Sequence, residues 1–378
     1  MYDRFIRKSI ESWLFKGKIV IIYGARQVGK TTLSKQILDK FGKDSLYLNC
    51  EIESVKDELS KAEPARIRSF FGNKKIVVLD EAQSIENIGR ILKTFVDEYK
   101  DIQIIATGSS SFDLANKINE PLTGRSIDFM LFPLSIGEII KKDGLSEFKA
   151  NEEIFFRFGS YPGIYSKRHS QEEMVAEIEN IQSHYLYKDI LSLENIRKPK
   201  ILQDLLKLLA FKIGSEASLN ELANNLHTSI ATIDRYIDLL EKAFIIKKVS
   251  AFSRNLRNEI NKNFKVYFWD IGLRNMIVRN MNPIDTRDDI GKLFENIFIT
   301  ERIKMSTNMQ EFKNYYFWRT YEQKEIDLIE EYAGGLHAFE CKYSNHRLSE
   351  TTKKTFMDTY PGSSLELVTK DNYLDFLI

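Results

Sequence analysis

Short apolar runs alternate with amphipathic stretches through the first third of the chain. Five runs have the pattern of β-strands, and all but the last are followed by turn residues and then by helical periodicity. Apolar strands that alternate with helices predict an α/β fold with a parallel sheet covered on both faces. Such sheets bind ligands at the carboxyl ends of their strands. In chain order the runs are IVIIYG, LYLNC, IVVLDE, IQIIATG and IDFMLF.

The middle of the chain changes to a helical pattern with short turns. From about residue 200 to residue 250, a long helix, two shorter helical segments and a β-like tail predict a winged helix-turn-helix. Ser218 and Ser229 are the expected N-caps of its second and third helices. The third helix carries three acidic and two basic side chains, a poor surface for phosphates, so a packing role is favoured over base reading. The basic stretch that follows, SRNLRNEINKNFK, is either a wing on a nucleic-acid backbone or a hairpin tip.

The last part of the chain combines one helical segment with strand-like segments. The stretch GKLFENIFITERI predicts a helix with Glu295 near its start. The stretches EIDLIEE and LHAFECKY predict two strands of a hairpin. Because side chains alternate along a strand, Asp327 faces one side of the first strand, and Glu340 and Lys342 share one side of the second.

The turn of this hairpin decides which side chains are opposed. A turn at Ala333–Gly334 places Asp327 opposite Glu340, and a turn at Gly334–Gly335 places it opposite Lys342. Both registers keep these side chains on one face. Opposed Cβ atoms lie about 4.5–5.5 Å apart, close enough for two carboxylates to share a divalent cation. Lys342 would then activate the hydrolytic water or neutralise developing charge.

Composition and charge limit the classes of protein. The length of 378 residues favours two or three domains, and 55 basic against 54 acidic residues provide no global field toward nucleic acid or membrane. Two cysteines, Cys50 and Cys341, exclude a disulfide framework and fit a reducing compartment. No apolar run reaches the length of a membrane span, and the first residues lack a signal-peptide core. We expect a cytoplasmic protein without a membrane partner.

The first apolar run leads into a phosphate-binding motif. Residues 24–31, GARQVGKT, match G-x-x-x-x-G-K-[ST] between a strand and a helix. The glycines let backbone N–H groups surround the β-phosphate, the lysine reaches the β- and γ-phosphates, and the threonine hydroxyl binds Mg²⁺. The predicted cofactors are therefore ATP and Mg²⁺. The residues predicted to bind them are Gly24, Ala25, Arg26, Gln27, Val28, Gly29, Lys30, Thr31, Thr32, Asp80 and Ser109.

Acidic and polar residues end two later strands. Asp80 is predicted to hold Mg²⁺ and Glu81 to act as the general base, on a strand expected to neighbour that of the P-loop. Thr107 or Ser109 either orients the attacking water or caps the next helix. Arg125 is a candidate arginine finger, in cis or in trans, for the transition state of hydrolysis. Lys30 is counted among the catalytic residues as well.

These motifs together resemble a known family. GARQVGKTTL, VVLDEAQ, ATGSSSFDL and LTGRSIDFMLFPLS in this order, continued by FGSYPGIY, are similar to AAA-type ATPases of archaea and bacteria that carry a carboxy-terminal endonuclease-like domain. The resemblance implies an ATPase with a helical lid at about residues 135–195. The Asp…Glu-x-Lys pattern resembles the restriction-endonuclease-like PD-(D/E)xK fold, in which an acid on the preceding helix completes the site. The implied metal ligands there are Glu295, Asp327 and Glu340.

The expected organisation is therefore an α/β protein of three domains. They are a P-loop ATPase with its lid at 1–195, a winged helix-turn-helix at 196–255 and an endonuclease-like domain at 256–378. One functional hypothesis is an ATPase coupled to a nuclease-like domain that acts on nucleic acid, with Asp327, Glu340 and Lys342 catalytic. The alternative is a slow, nucleotide-gated switch whose non-cleaving platform rearranges protein or DNA partners. DNA, a protein and a second copy of the chain remain open as partners.

Overall fold

Two compact units make up the part of the chain that the computed structural model describes. The first comprises residues 1–133 with 242–244, and the second comprises 134–241 and 245–378. The described residues are 1–60, 63–109, 122–183, 196, 198–252, 263–320, 322–344 and 347–378.

The first unit contains a parallel sheet, as its apolar runs predict. Among the described residues this sheet has five strands in the order β2-β3-β4-β1-β5, all parallel. Every residue of β1, β3 and β4 is buried, because helices cover both faces of a parallel sheet. The strands are β1 Ile19–Tyr23, β2 Ser45–Asn49, β3 Ile76–Asp80, β4 Gln103–Gly108 and β5 Ser126–Met130. The helices are α1 Ile6–Trp13, α2 Lys30–Leu38, α3 Glu53–Ser60, α4 Pro64–Phe71 and α5 Ile88–Glu98.

Strand β4 lies between β1 and β3. Ile22 of β1 pairs with Thr107 of β4, and Leu79 of β3 pairs with Ala106 of β4, so the carboxyl ends of the three strands lie side by side. The expectation that the P-loop strand neighbours the strand of the acidic pair is therefore wrong. The polar carboxyl end of β4 therefore lies between the P-loop and the two acids.

Helices dominate the first half of the second unit. Ser135, Ser218 and Ser229 accept hydrogen bonds from the backbone N–H three residues later, which caps three of these helices and confirms the two N-caps expected at 218 and 229. The helices are α6 Ile136–Asp143, α7 Leu145–Ala150, α8 Glu152–Phe158, α9 Pro162–Tyr165, α10 Gln171–Ile181, α11 Pro199–Phe211, α12 Leu219–Asn225, α13 Ile230–Lys242, α14 Ile271–Ile277, α15 Ile290–Asn308 and α16 Glu350–Thr359.

A mixed sheet occupies the rest of the second unit. Within the described residues it has six strands in the order β11-β10-β9-β8-β6-β7. The β6–β7 and β8–β9–β10 pairs are antiparallel, whereas β10–β11 and β6–β8 are parallel. The strands are β6 Ile246–Ala251, β7 Phe264–Phe268, β8 Asn314–Arg319, β9 Glu325–Tyr332, β10 Gly335–Lys342 and β11 Ser364–Thr369.

The expected domain boundaries do not coincide with this division. The boundary at 195/196 falls inside the second unit, and the helices at 136–181 of the expected lid belong to that unit. The boundary at 255/256 separates β6 from β7, although the two strands are paired along their length. Hydrogen bonds between the two strands join them in one sheet. The basic stretch predicted as a wing lies largely at 253–262, outside the described residues.

The β9–β10 hairpin has the first of the two expected registers. Gly335 pairs with Tyr332 and Phe339 pairs with Leu328, so Ala333–Gly334 forms the turn. Both turn residues have positive φ, at 50° and 82°. This is the backbone that two-residue hairpin turns require, and glycine adopts it at least cost. The register therefore directs Asp327 toward Glu340.

Helix α15 runs through the interior of the second unit. Its apolar residues are buried as expected, and Glu295, Asn296, Glu301 and Lys304 are buried with them. Buried charges require partners, so each of these side chains must be paired. No helix in the described ranges combines the length and apolar character that crossing a lipid bilayer demands.

Candidate functional site

The P-loop connects β1 to α2 with a strained and tightly packed backbone. Gln27 and Gly29 have φ values of 63° and 101°. A Cβ on Gly29 would approach only Arg4 Nη1, at 3.8 Å, whereas a Cβ on Gly24 would lie 2.2 Å from the carbonyl oxygen of Leu131. Gly24 is thus required by close packing, and Gly29 by its positive φ.

Lys30 begins helix α2 and lies inside the loop. Its ammonium donates hydrogen bonds to the carbonyl oxygens of Gly24 and Ala25 at 2.9 and 3.0 Å, and only 4% of the residue is exposed. Nζ lies 3.9 Å from Oε1 of Glu81. Burial lowers the pKa of Lys30, and the attraction of Glu81 and Asp80 opposes that shift. The P-loop lysine and the proposed base therefore share one small space.

Asp80 is the centre of a set of hydroxyl donors. Thr31 Oγ1 and Tyr47 Oη each donate to Oδ2 at 2.6 Å, and Thr107 Oγ1 donates to Oδ1. Burial and the hydrogen bond to Asp80 raise the pKa of the Tyr47 hydroxyl. A carboxylate beside a hydroxyl is a hard-oxygen set of the kind that Mg²⁺ prefers. The residues present therefore fit the predicted metal, with Thr31 and Asp80 as its protein ligands.

Glu81 follows Asp80 with a left-handed backbone. Its φ of 53° turns the chain out of β3, and its N–H donates to Thr107 Oγ1 at 3.0 Å. Gln83 Nε2 donates to Glu81 Oε2 at 2.5 Å and to Ser109 Oγ at 3.2 Å. The Glu81 side chain remains 19% exposed, so water reaches it. Thr107 and Ser109 thus fix the two acids, and the residues after Ser109, where the next helix was expected, lie outside the described part of the chain at 110–121.

Arg4, which precedes the first strand in the sequence, supports the P-loop. Its guanidinium donates to the carbonyl oxygens of Val28 at 2.7 Å and Phe132 at 2.5 Å, and 7% of the residue is exposed. The loop is thereby tied to the segment that follows β5. Of the other predicted loop residues, Ala25 and Val28 are buried, and Arg26, Gln27 and Thr32 are exposed.

Arg125 does not reach the P-loop of its own chain. Its carbonyl oxygen accepts from the N–H of Ile19, the first residue of β1, whereas the P-loop follows Tyr23 at the other end of that strand. The length of β1, roughly 13 Å, separates the two ends. Arg125 Nε instead lies 2.7 Å from Oδ1 of Asp97. The role of a finger in cis is therefore wrong, and the role in trans stays a prediction.

A buried lysine lies among the acids of the second unit. Lys265 Nζ, on β7, is 2.6 Å from Glu325 Oε1, 3.0 Å from Glu295 Oε1 and 3.2 Å from Asp327 Oδ1. Its side chain is 1% exposed. Tyr267 Oη, two residues along the same strand, also donates to Glu295 Oε1, at 2.7 Å. Helix α15 and strand β9 thus direct their carboxylates onto one ammonium.

Glu340 and Lys342 pair with each other on β10. Lys342 Nζ lies 2.7 Å from Glu340 Oε1, and Glu340 Oε2 has no hydrogen-bond partner among the described residues. The N–H of Cys341 donates to Asp327 Oδ2 at 2.9 Å. The four side chains of the expected endonuclease-like site therefore lie in one region, but Lys342 is already bound to an acid of that site.

Excess negative charge shifts the acids of this region. Burial, together with repulsion from Asp327, raises the pKa of Glu295 to about 7 and that of Glu340 to about 7. Burial alone would lower the pKa of Lys265, but the surrounding acids outweigh it and raise that pKa well above its ordinary value. Four carboxylates and two ammonium groups explain both directions, because the lysines stay charged and the surplus acids retain protons.

The structure does not arrange Glu295, Asp327 and Glu340, the predicted metal ligands, as a metal-binding group. Among the residues that the structure describes, no group of three His, Cys, Asp or Glu side chains is placed to hold a metal ion. The physical reason is Lys265, whose ammonium lies between two of the expected ligands. The residues of the second unit therefore do not fit a divalent cation.

Several residues that shape the two sites belong to no motif. Arg4, Tyr47 and Gln83 act through folding contacts between distant segments, and no local pattern indicates them. Lys265 leaves a signal in the strand FKVYF, where a lysine between buried apolar residues indicates a buried charge that needs a partner.

Comparison with protein families identifies an AAA domain at residues 16–140. Two domains of unknown function match residues 152–284 (DUF8612) and 290–374 (DUF4143). The first part of the chain is thus an AAA-type, P-loop ATPase-like domain. The matches to the remainder carry no functional description.

Relatives and a solved structure are similar to most of the chain. An uncharacterized protein of Mycobacterium tuberculosis is 26% identical over 362 residues, 92% of this chain and 78% of the relative. Another, from Methanocaldococcus jannaschii, is 27% identical over 333 residues, 79% of this chain and 73% of the relative. A Walker-type ATPase of Pyrococcus abyssi has a TM-score of 0.51 and 16% identity, and the match covers 74% of this chain and 96% of that one. The likeness shows the fold.

Proposed function

We propose that the first unit binds ATP with Mg²⁺ and hydrolyses it. The observation that carries this proposal is the contact of Thr31 with Asp80, which places a hydroxyl and a carboxylate together beside Lys30 and Glu81. Hydrolysis of a phosphoanhydride needs a cation for the phosphates, oxygen ligands for the metal and a base for water. These three elements converge at the carboxyl ends of β1, β3 and β4.

Each residue has a distinct role in this mechanism. Lys30 exchanges the carbonyl oxygens of Gly24 and Ala25 for β- and γ-phosphate oxygens, which attract its charge more strongly. Glu81 accepts a proton from the attacking water. Thr107 and Gln83 hold Glu81 in place through hydrogen bonds. When bound by Thr31 and Asp80, Mg²⁺ would neutralise charge on the β- and γ-phosphate oxygens.

For the second unit, we propose a non-cleaving platform that ATP turnover rearranges. Its fold is proposed to be endonuclease-like, because a helix acid, a strand acid and a Glu-x-Lys pair meet there in the expected order. The ion pairs of Lys265 and Lys342 favour this switch over the nuclease, since both lysines are bound to the acids that cleavage would need.

A protein is favoured over DNA as the partner of the proposed winged helix-turn-helix. Lys247 and Lys248 of β6 lie 3.7 and 4.0 Å from Glu241 and Asp234 of α13. These contacts leave less positive charge for phosphate groups than a DNA-binding surface needs.

A phosphate-release assay with purified protein, ATP and Mg²⁺ tests the ATPase proposal. Lys30→Ala should lose ATP binding by calorimetry and lose phosphate release. Lys43→Ala, which removes an exposed lysine shortly after the same helix, should retain both. If the unmodified, folded protein binds no ATP, the proposal fails. Supercoiled DNA in the same reactions should stay uncut. Metal-dependent strand breaks that Asp327→Ala abolishes would instead favour the nuclease hypothesis.

A further inference from the structure

The acidic region of the second unit already contains a cation. The three shortest contacts of the Lys265 ammonium are with carboxylate oxygens of Glu295, Glu325 and Asp327, at 2.6 to 3.2 Å. A lysine ammonium has three N–H donors, so one is available for each acid. The contacts come from α15 and from two residues on one face of β9.

The Lys265 ammonium already contacts the carboxylate oxygens that a second cation would use. A divalent ion binds carboxylate oxygens at about 2.0–2.6 Å, and it would meet the ammonium at the same oxygens. Lys265 is 1% exposed, and its nitrogen lies 5.6 Å from the centre of the Phe317 ring. Solvent therefore cannot draw the ammonium aside without opening the sheet around it.

We propose that Lys265 is a built-in counter-cation that replaces a divalent metal in the second unit. The carboxylates of Glu295, Glu325 and Asp327 are then structural, and part of their charge is balanced from within the chain. The domain keeps the arrangement of an endonuclease-like site while the metal has no place in it. This inference does not depend on ATP hydrolysis by the first unit, although it supplies a physical basis for a non-cleaving platform.

Removal of the ammonium should convert the region into a metal site. Lys265→Met keeps the length of the side chain and leaves three carboxylates facing one space. Binding of Mn²⁺ is measured by electron paramagnetic resonance in the full-length Asp80→Ala protein, so that the P-loop adds no site. Lys265→Met in that background should gain about one Mn²⁺ per chain, with a dissociation constant on the order of 10⁻⁴ M or tighter. Asp327→Asn should abolish the gain.

Thermal unfolding gives a second readout of the same site. Three carboxylates without their ammonium partner, two of them buried, should lower the melting temperature by on the order of ten degrees, and Mn²⁺ should restore part of that loss. Lys304→Met is the matched control. It also removes a buried lysine, 2% exposed, but the ion pair that is lost involves the single carboxylate of Glu301, at 2.8 Å, so Mn²⁺ should neither bind nor stabilise it.

Two results would overturn the proposal. A folded Lys265→Met protein that gains no Mn²⁺ would show that the ammonium does not occupy a cation position. If Lys265→Met does not fold, the Asp80→Ala protein and its Asp327→Asn double variant decide the question. Equal Mn²⁺ binding by the two supports the built-in cation, whereas binding that Asp327→Asn removes means that a metal enters despite Lys265.

Discussion

Thr31 Oγ1 donates a hydrogen bond of 2.6 Å to Asp80 Oδ2, although the two residues are 49 positions apart and strand β4 lies between β3, which ends at Asp80, and β1, which leads to the helix of Thr31. Tyr47 donates to the same oxygen from β2, and Thr107 donates to the other oxygen from β4. One carboxylate at the end of β3 is thus hydrogen-bonded to helix α2 and to strands β2 and β4. The predictions for the first unit follow from this arrangement.

Tyr47→Phe should weaken catalysis without removing the site. The substitution keeps the ring and deletes one of the donors to Asp80 Oδ2, and a hydrogen bond to a charged group is worth about 1.5–3 kcal/mol. We expect kcat/KM for Mg²⁺–ATP to fall by roughly tenfold or more. Tyr332→Phe, at a site 41% exposed, is the control and should behave like the unmodified protein. Unchanged kcat/KM in Tyr47→Phe would exclude a positioning role for the hydroxyl.

Glu81→Gln should bind ATP and fail to hydrolyse it. Glutamine keeps the shape of the side chain but does not accept a proton at neutral pH. We expect kcat to fall by about 10²- to 10⁴-fold, the usual contribution of general base catalysis. Titration of a fluorescent ATP analogue should give an affinity close to that of the unmodified protein.

Glu86→Gln is the control for this substitution, because Glu86 is an exposed acid five residues farther along the same segment. Its turnover should be normal. Normal turnover in Glu81→Gln instead would assign the base to another group.

Arg4→Ala should loosen the P-loop. Its guanidinium holds the carbonyl oxygens of Val28 and Phe132, and both would lose a charged donor. We expect ATP affinity to fall by about tenfold and the melting temperature to fall by several degrees, as lost charge-assisted hydrogen bonds predict. Arg4→Lys should recover only part of both, because one ammonium lacks the fork of a guanidinium.

Arg66→Ala tests whether loss of any arginine has this effect. Arg66 is exposed and pairs with Glu58 at the surface, where an ion pair contributes little. Its ATP affinity should be unchanged. Equal ATP affinity in Arg4→Ala and Arg66→Ala would contradict a specific role for Arg4 at the loop.

The second unit should become less stable as the pH rises from about 5 to about 8. The pKa of Glu295 and that of Glu340 are about 7, against 4.5 ordinarily. Between these values the folded protein holds protons that the unfolded chain has released. Stability is therefore greatest below the unfolded pKa and declines as the pH rises through the folded one, by roughly 2 kcal/mol for each group.

Urea unfolding across this pH range measures the effect. Fluorescence of Trp269 and Trp318 reports on the second unit in a Trp13→Phe background. Glu295→Gln should lose about half of the decline, because Glu340 still titrates. The exposed control Glu350→Gln should retain all of it. A stability that rises across this range would contradict the surplus of buried acid.

The strands and the phosphate loop of the first unit follow from local pattern. Each of the five apolar runs forms a strand. The motif at residues 24–31 leads into a helix that begins at Lys30. The order of the strands depends on contacts between distant segments. Insertion of β4 between β1 and β3 is therefore absent from the local pattern, and with it the meeting of Thr107 and Asp80.

In the second unit, too, local sequence pattern predicts the strands and the turn but not the contacts between distant segments. Alternation along β9 and β10 and the turn at Ala333–Gly334 predict that Asp327 faces Glu340. The hairpin pattern is silent about β7, which brings Lys265 from about 60 residues earlier into the acids. The expected boundary at 255/256 failed for a related reason, since the β6–β7 pair spans it.

The clash of a Cβ on Gly24 with the carbonyl oxygen of Leu131 has a consequence for reading related sequences. A descendant that no longer used ATP would still need glycine at this position, because the neighbouring backbone allows nothing larger. The same descendant would keep Lys30 only for its hydrogen bonds to the carbonyl oxygens of Gly24 and Ala25, once no phosphate had to be held. In a related sequence, the first glycine of the motif therefore indicates the fold, whereas the lysine indicates phosphate binding.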